Sequence, residues 1–415
     1  MLSPQDKKAE ASAAPANPLE QLSLADLRQR TSWKWQTYAE DVLPLWVAEM
    51  DVPLAPHIAS ALHQAIEVGD TGYPVGTALA EAFSGFADRR WGWNTIDVAR
   101  TAVVPDVMTG MFEVICSLTS PGDIVVVNPP VYSPFYTYTA HASREILEAP
   151  LGKNLRIDLG ALEEAFRHVN VRGKRAVYLL SNPHNPTGVV HTREELSAVA
   201  LLAREYGVRV VSDEIHGPLV LPGAQFTPLL TVPGAENAFS VTSASKAWNL
   251  AGLKAGLVVA GAEASAQREV VPAWLGRGAS HLGVIAHTVA FQTGGAWLDA
   301  LIEGLDSNRA LLGRLLKEHL PTVGYQPPEG TFLAWLDCTD LDVEQATGDK
   351  TDGPSAFTDL MGPTKLFHDQ ARVALSSGEV FGPGGANHVR LNFATSQAVL
   401  TEAVTRMGEA VRRRP

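Results

Sequence analysis

The sequence predicts an α/β protein with a large domain built on a mostly parallel, doubly wound sheet and a smaller α+β domain. Between residues 102 and 260, short apolar segments of strand length alternate with helical segments, as in a parallel sheet covered by helices. The chain has 415 residues, which exceeds what one hydrophobic core usually serves. Its last part mixes strand and helix patterns, which favours a second domain.

The elements follow from the spacing of apolar residues and from turn signals. Pro56 fits the first turn of a helix, and Gly92 ends another. Strands are predicted at 102–104, 124–127, 176–180, 208–212, 238–241, 257–260, 332–336 and 388–393. Helices are predicted at 19–30, 55–67, 78–91, 109–119, 194–206, 279–320, 362–371 and 401–412.

These elements suggest boundaries. We expect residues 1–17, rich in Ala, Pro, Ser and charge, to be a disordered tail. Residues 18–55 would be an N-terminal segment of the small domain, 56–290 the large domain, and 291–415 the small C-terminal domain. Residues 347–354, with Gly, Asp, Lys and Pro, have the composition of an exposed loop.

Composition excludes several classes of protein. The 33 basic and 45 acidic residues give a net charge of −12, which argues against a general nucleic-acid binder. The sequence contains neither a stretch of 18 apolar residues, as a membrane helix would need, nor the apolar run near the N-terminus that is typical of a secretory signal. We therefore expect a cytoplasmic protein. Cys116 and Cys338 lie in apolar surroundings typical of reduced core thiols, and no Cys/His spacing indicates a metal site.

Four polar segments carry the chemistry, and three of them directly follow predicted strands. They are Ser-Asn-Pro-His-Asn-Pro-Thr-Gly at 181–188, Ser-Asp-Glu-Ile-His at 212–216, Ser-Ala-Ser-Lys at 243–246 with Gly-Leu-Lys at 252–254, and Val-Arg-Leu-Asn-Phe at 389–393. Open α/β sheets bind ligands outside the carboxyl ends of their strands. We therefore expect the first three segments to meet at one edge of the sheet.

The residue types in these segments suit pyridoxal 5′-phosphate (PLP). At that edge, Asp213 can pair with a pyridinium nitrogen, and Lys246 can form an imine with an aldehyde. Ser243 and Lys254 can bind a phosphate together with main-chain amides. Asn185 would lie at the same edge.

Each segment alone has an ordinary explanation. Ser-x-Ser-Lys is common in surface loops, Pro and Gly mark turns, and an Asp after a strand often caps a helix. An arginine in a C-terminal strand, such as Arg390, usually lies on a solvated or ion-paired face. The joint occurrence of all four segments in this order favours the cofactor site.

The four segments together resemble the class I/II aminotransferase superfamily, the PLP-dependent enzymes of fold type I. The resemblance runs from about residue 19 to the end of the chain. It implies a large domain with a mostly parallel seven-stranded sheet, a smaller α+β domain, and a homodimer with shared active sites.

A narrower resemblance is to the MalY/PatB-type cystathionine β-lyases. It rests on Leu-Trp-Val-Ala-Glu-Met-Asp at 45–51, Gly-Tyr at 72–73, the segment 212–216, and Phe-Gly-Pro-Gly-Gly at 381–385. Glu49 stands where the subgroup often has Asp. His216 stands where the wider superfamily usually has Tyr, a departure that agrees with the lyase subgroup.

The resemblance implies a role for each matching position. Lys246 would be the Schiff-base lysine and general base, with Asp213 at the pyridine nitrogen and Asn185 at the phenolic oxygen. Arg390 would hold the substrate carboxylate as a two-pronged fork, and Tyr73 would reach the neighbouring subunit's phosphate. The remaining expected positions are Tyr132 stacked on the ring; Val107, Met108, Ser243, Ser245 and Lys254 around the phosphate; His216 near the cofactor; and Trp46 and Asn185 near the substrate.

The implied activity is α,β-elimination. A carbon–sulfur β-lyase of this type cleaves cystathionine or a related S-substituted cysteine to a thiol, pyruvate and ammonia, in the context of methionine biosynthesis. One alternative is a class I/II aminotransferase, which needs a 2-oxo acid acceptor. Another is a regulatory binding protein on the same fold, although the sequence has no fused helix-turn-helix. Fold resemblance alone does not choose among these, and the physiological substrate stays open.

Overall fold

The computed structural model of this chain describes residues 16–264, 271–343 and 360–414. The strands in these ranges are β1 Leu43–Pro44, β2 Thr101–Val104, β3 Ile124–Val127, β4 Glu145–Glu148, β5 Ala176–Ser181, β6 Arg209–Asp213, β7 Phe239–Thr242, β8 Gly256–Ala260, β9 Gly324–Tyr325, β10 Leu333–Asp337, β11 Val373–Ala374, β12 Ser376–Ser377 and β13 His388–Asn392. The α-helices are α1 Leu24–Arg28, α2 Trp33–Gln36, α3 Pro56–Glu67, α4 Ala78–Trp91, α5 Val107–Leu118, α6 Pro134–His141, α7 Leu159–Val171, α8 Arg193–Glu205, α9 His281–Thr293, α10 Gly295–His319, α11 Pro363–Leu366 and α12 Gln397–Arg412. No helix in these ranges is long and apolar enough to cross a membrane.

A seven-stranded sheet forms the centre of the large domain, in the order β2-β8-β7-β6-β5-β3-β4. Neighbouring strands from β7 to β4 run parallel, and β8 is antiparallel to both β7 and β2. This confirms the expected mostly parallel α/β fold. The central strands β3 and β5 are buried along their whole length because helices cover both faces of the sheet.

The smaller sheet contains β12, β13, β10 and β9, all antiparallel. The N-terminal segment reaches this part of the molecule, since β1 pairs in parallel with β11. Leu45 extends the contact by donating to the Ala374 carbonyl. The division into domains stays a prediction, but these pairs join residues 43–45 to the C-terminal part.

Two predicted helices differ from the structure for identifiable reasons. Residues 19–30 form a 3₁₀ turn and then the short helix α1, because Ser23 and Asp26 make a capping box that starts a new helix. The helical region 279–320 is interrupted at Gly294. A side-chain carbon there would collide with the indole nitrogen of Trp248, which donates to the Gly294 carbonyl.

Other boundaries also shifted. The predicted helix at 362–371 is α11 followed by a short π-helix at Phe367–Ala371. The last helix begins earlier than predicted, at Gln397, because the Ser396 side chain caps it. Five strands and three helices were not predicted: β1, β4, β9, β11, β12, α2, α6 and α7. The expected loop at 347–354 and residues 1–15 of the expected tail lie outside the described residues, whereas Asn17 caps the 3₁₀ turn at Pro18–Glu20.

Candidate active site

The carboxyl ends of three neighbouring strands form one side of a cavity of about 260 Å³. Because β5, β6 and β7 are parallel and in register, the loops that follow them start at the same edge of the sheet. Asn185, Asp213 and Lys246 all line this cavity. The other lining residues are Ala48, Asp106, Val107, Met108, Tyr132, Pro134, Tyr138, Ile215, His216, Ser245, Ala251, Leu253, Lys254 and Ala255.

The side chain of Lys246 donates from Nζ to the carbonyl of Ala48 at 2.9 Å. Burial lowers the pKa of Lys246 from its usual 10.5 to about 8, and the positive charge of Arg390 acts in the same direction. The carboxylates of Glu49 and Asp213 oppose this shift. An amine with this pKa has a substantial uncharged fraction near neutral pH, so it can act as a nucleophile or base.

Two adjacent acids, Asp213 and Glu214, face different surroundings. One carboxylate oxygen of Asp213 accepts from the Ile215 amide at 3.1 Å, and burial raises the pKa of this acid to about 6. Glu214 is fully engaged away from the cavity, where it accepts from Ser240 Oγ at 2.6 Å and the Leu229 amide at 2.7 Å. Asp213 is therefore the acid that can contact a molecule in the cavity.

One end of the cavity suits an anion. Val107 and Met108, in the first turn of α5, bring the amino end of a twelve-residue helix to the wall. Lys254 lies beside them and pairs with the helix-capping Asp106 at 3.2 Å. Free amides, a helix dipole and a lysine are the groups that bind phosphate in proteins.

Two serines follow the strand β7 in this region. Ser245 lines the cavity, whereas Ser243 is not among the lining residues. Ser243 donates to the Ala255 carbonyl at 2.8 Å and accepts from the Ser245 amide at 3.1 Å. Since Ser245 and Ala255 both line the cavity, Ser243 supports its wall from directly behind.

Arg390 is fully buried and reaches the site through Asn185. Its Nη1 donates to Asn185 Oδ1 at 3.1 Å, and its Nη2 donates to the Trp46 carbonyl at 3.1 Å and to Ser376 Oγ at 3.2 Å. Its Nε has no hydrogen-bond partner among the described residues. Because a guanidinium only donates, it turns the oxygen of the Asn185 amide toward itself and leaves the amino group for the cavity.

Tyr132 and His216 line the cavity as neutral groups. Burial raises the pKa of Tyr132 to about 12, so it stays a phenol, and its ring contacts Phe135 edge to face. Burial also holds the pKa of His216 well below its ordinary value, with Lys246 and Arg390 adding to the effect. Both residues can offer an uncharged aromatic surface to a planar ligand.

Besides Ser243 and Arg390, two further predicted positions are not among the residues that line the cavity. The indole of Trp46 is completely buried, with Trp33 and Tyr38 edge-on to it at 4.7 and 5.8 Å between ring centroids. Trp46 is not among the residues that line the cavity, so the expected substrate contact of its side chain is not present, although its carbonyl binds Arg390. Tyr73 is 81% exposed and does not line the cavity of its own chain.

Sequence reasoning missed several contributors. Ala48 accepts the hydrogen bond of Lys246 with its main-chain carbonyl, and because every residue has such a carbonyl, the residue type could not indicate this contact. In the sequence, Asp106 stands where an ordinary helix cap would stand, and only the fold brings Lys254 close to it. In the described residues, no group of three or more His, Cys, Asp or Glu side chains could hold a metal ion.

Comparisons with known proteins agree with this geometry. Residues 41–407 match the family model described as Aminotransferase class I and II. A Mycobacterium leprae protein that provisionally carries the name cystathionine beta-lyase is 58% identical over 400 residues, which cover 95% of this chain and 98% of that protein. The cystathionine beta-lyase of Corynebacterium glutamicum is 33% identical, and the match covers 94% of this chain and 99% of that protein.

Solved structures show the same architecture. A protein from Corynebacterium diphtheriae, provisionally described as a PLP-dependent beta-cystathionase, superposes with a TM-score of 0.85 at 33% identity. The match covers 95% of this chain and 99% of that one. The PLP-bound C-S lyase of Staphylococcus hominis has a TM-score of 0.83 at 24% identity and supports the fold alone.

Proposed function

This chain belongs to the aminotransferase class I and II family, and we propose that within it the protein is a PLP-dependent carbon–sulfur β-lyase. The proposed reaction converts cystathionine, or a related S-substituted cysteine, to a thiol, pyruvate and ammonia. The proposal rests on one observation: Lys246, with its amine, and Asp213, with its carboxylate, line the same cavity. The names of the similar full-length proteins favour the lyase within the family.

The cavity residues fit the polar groups of PLP. Lys246 has an amine for its aldehyde, and Asp213 has a carboxylate for its ring nitrogen. The amino end of α5 and Lys254 suit its phosphate, and the amino group of Asn185 suits its phenolic oxygen. Tyr132 and His216 offer aromatic surface at the same cavity. When bound, PLP supplies a conjugated ring that takes up the electron pair left on the substrate Cα.

The chain's own residues would then bind the substrate and move its proton. Arg390 would hold the α-carboxylate. Its Nε has no hydrogen-bond partner within the described part of the chain, whereas its other nitrogens bind Asn185, Ser376 and the Trp46 carbonyl. Lys246 accepts the proton from Cα at Nζ, for which its pKa of about 8 is well placed. The carbonyl of Ala48, 2.9 Å from Nζ, can then accept a hydrogen bond from the resulting ammonium.

The proposed elimination balances without an added oxidant. The Cα–H and Cβ–S bonds break, the proton goes to Nζ, and the sulfur leaves with its electron pair as a thiolate. The released three-carbon fragment takes up water to give pyruvate and ammonia. With cystathionine, the thiol is homocysteine, which is consistent with a role in methionine biosynthesis.

A class I/II aminotransferase is the second candidate, since the matched family carries that description. It would need a 2-oxo acid to complete each cycle, whereas the lyase needs none. We would incubate the loaded protein with L-cystathionine and no oxo acid, and measure pyruvate and free thiol. Equal amounts of pyruvate and free thiol, formed over many turnovers, support the lyase. Turnover that occurs only after addition of a 2-oxo acid supports the aminotransferase.

A regulatory binding protein is the least favoured function. It would act without turnover, so a Lys246→Ala variant that retained the biological effect would favour it. We propose further that the enzyme is cytoplasmic and forms a homodimer. Tyr73, together with the 93% exposed Val75, would then contact the partner's site rather than its own. Sedimentation equilibrium tests the dimer, and the Tyr73→Phe variant tests the shared site through its affinity for PLP.

A further inference from the structure

The segment of residues 46–50 crosses the cavity region without regular secondary structure, and side chains hold all of its carbonyls. The donors are Ser376 and Arg390 to Trp46, Asn392 to Val47, Lys246 to Ala48, Asn392 and Lys34 to Glu49, and Asn249 and Arg30 to Met50. Two of these donors, Lys246 and Arg390, belong to the proposed catalytic site. The path of this segment therefore sets where both side chains find an acceptor.

Asn249 holds this segment from the same loop that carries Lys246. Its Oδ1 accepts from the Met50 amide at 2.8 Å, and its Nδ2 donates to the Met50 carbonyl at 3.0 Å. The two contacts fix both the position and the direction of the Met50 peptide groups. Asn249 also has a left-handed backbone with φ of 56°, a conformation that asparagine tolerates better than most residues.

The geometry makes a closed arrangement of two loops. Lys246 binds the carbonyl of Ala48, and three residues later Asn249 binds Met50, two residues beyond Ala48. We propose that Asn249 is a positioning residue: it holds residues 46–50 so that the Ala48 carbonyl stays an acceptor for Lys246 Nζ. This inference rests on the proposed function for the importance of Lys246, but the contacts themselves do not depend on the reaction.

The consequence for Lys246 can be measured without turnover. The charged groups that act on Nζ are Arg390, Glu49, Asp213 and Lys254, and the titratable His216 faces it in the same cavity. Asn249 adds no charge to them. The hydrogen bond to the Ala48 carbonyl stabilises the ammonium form of Lys246 more than the neutral amine. If that carbonyl moves away, the ammonium form therefore loses more stabilisation, and the pKa of Lys246 falls. The free amine should then persist to lower pH.

The experiment follows the uptake of PLP by the apoprotein. The rate at which the visible band of covalently bound cofactor develops is recorded against pH, since only the uncharged amine reacts. In the unaltered protein the midpoint is expected near the Lys246 pKa of about 8. Asn249→Gly keeps the left-handed backbone and removes the amide, and it should lower the midpoint by about one pH unit, the scale of a lost charge-assisted hydrogen bond.

Two further variants complete the test. Asn249→Ser is uncharged and too short to make both contacts with Met50, and Ser143 shows that serine adopts the same backbone in this chain, with φ of 58°. It should shift the midpoint in the same direction, and it replaces Asn249→Gly if that variant does not fold. The matched control is Asn387→Gly, at another left-handed asparagine with φ of 59°, which should leave the midpoint unchanged.

A folded Asn249 variant with the midpoint of the unaltered protein would overturn the proposal, even if its thermal stability fell. Equal shifts in the Asn249 and Asn387 variants would also overturn it, because the effect would then be general. Failure of the proposed function gives a different result: the unaltered protein would develop no visible band with PLP, or would form no pyruvate from cystathionine.

Discussion

Replacement of Arg390 by lysine tests the proposed substrate contact most directly. Lysine keeps one buried positive charge, so the fold does not lose its charge balance. It cannot reproduce the planar fork that binds Asn185 Oδ1 at 3.1 Å and the Trp46 carbonyl at 3.1 Å, and whose Nε has no partner in residues 16–264, 271–343 and 360–414. We therefore expect the variant to hold a substrate carboxylate with one hydrogen bond instead of two.

The expected fall in kcat/KM follows from the loss of that hydrogen bond. A hydrogen bond to a charged group contributes about 1.5–3 kcal/mol, so loss of one should lower kcat/KM about 10- to 150-fold. Most of the change should be in KM, because the carboxylate is bound equally in the ground state and the transition state. PLP affinity should change much less, because Arg390 reaches the proposed cofactor site through its hydrogen bond to Asn185.

The assay is steady-state pyruvate formation over a range of L-cystathionine concentrations, with PLP binding followed by visible absorbance. Arg309→Lys is a matched control, because Arg309 also binds main-chain carbonyls, those of Pro328 at 2.8 Å and Pro222 at 3.0 Å, but lies outside the cavity. It should leave KM unchanged. An unchanged KM in Arg390→Lys would remove Arg390 from the proposed role, and a loss of PLP binding as large as the rise in KM would assign it to the cofactor.

Three further outcomes are expected. Lys246→Ala should lack the visible band of covalently bound PLP, and a retained band would place the linkage on another lysine. Between pH 8 and 10.5, Lys246 binds fewer protons in the folded apoprotein than in the unfolded chain. The free energy of unfolding of the apoprotein should therefore rise relative to that of Lys246→Met as pH rises through that range. Urea unfolding of both proteins measures this difference, and a difference that stays constant with pH contradicts the lowered pKa. Lys34→Met should lower the free energy of unfolding by about 3–5 kcal/mol, because it leaves the buried Asp51 without its partner at 2.8 Å. The double variant Lys34→Met/Asp51→Leu should recover much of that loss. Equal stability of the single variant and the unaltered protein refutes this account.

Much of the fold could be predicted because it depends on local patterns. The buried strands β3 and β5 are continuous apolar runs bounded by turn residues, and they occur where the sequence places them. β4 was missed because it lies at the edge of the sheet, where Glu145 and Glu148 give it no apolar signature. The break at Gly294 depends on Trp248, which is far away in the sequence.

The sequence by itself determined that Asn185, Asp213 and Lys246 meet at the cavity. Asn185, Asp213 and Lys246 follow strands that are neighbours and parallel, and in such a sheet the residues after the carboxyl ends lie at one edge. Their chemistry is carried by side chains, so residue type and position were enough to select them.

Only the tertiary structure decided how these side chains are held. It turned Glu214 away from the cavity, enclosed the indole of Trp46, and brought the main-chain carbonyl of Ala48 to Lys246. These outcomes depend on contacts between distant parts of the chain and on main-chain atoms that every residue has. A sequence pattern names side chains, whereas burial and main-chain direction are set only when the whole chain has packed.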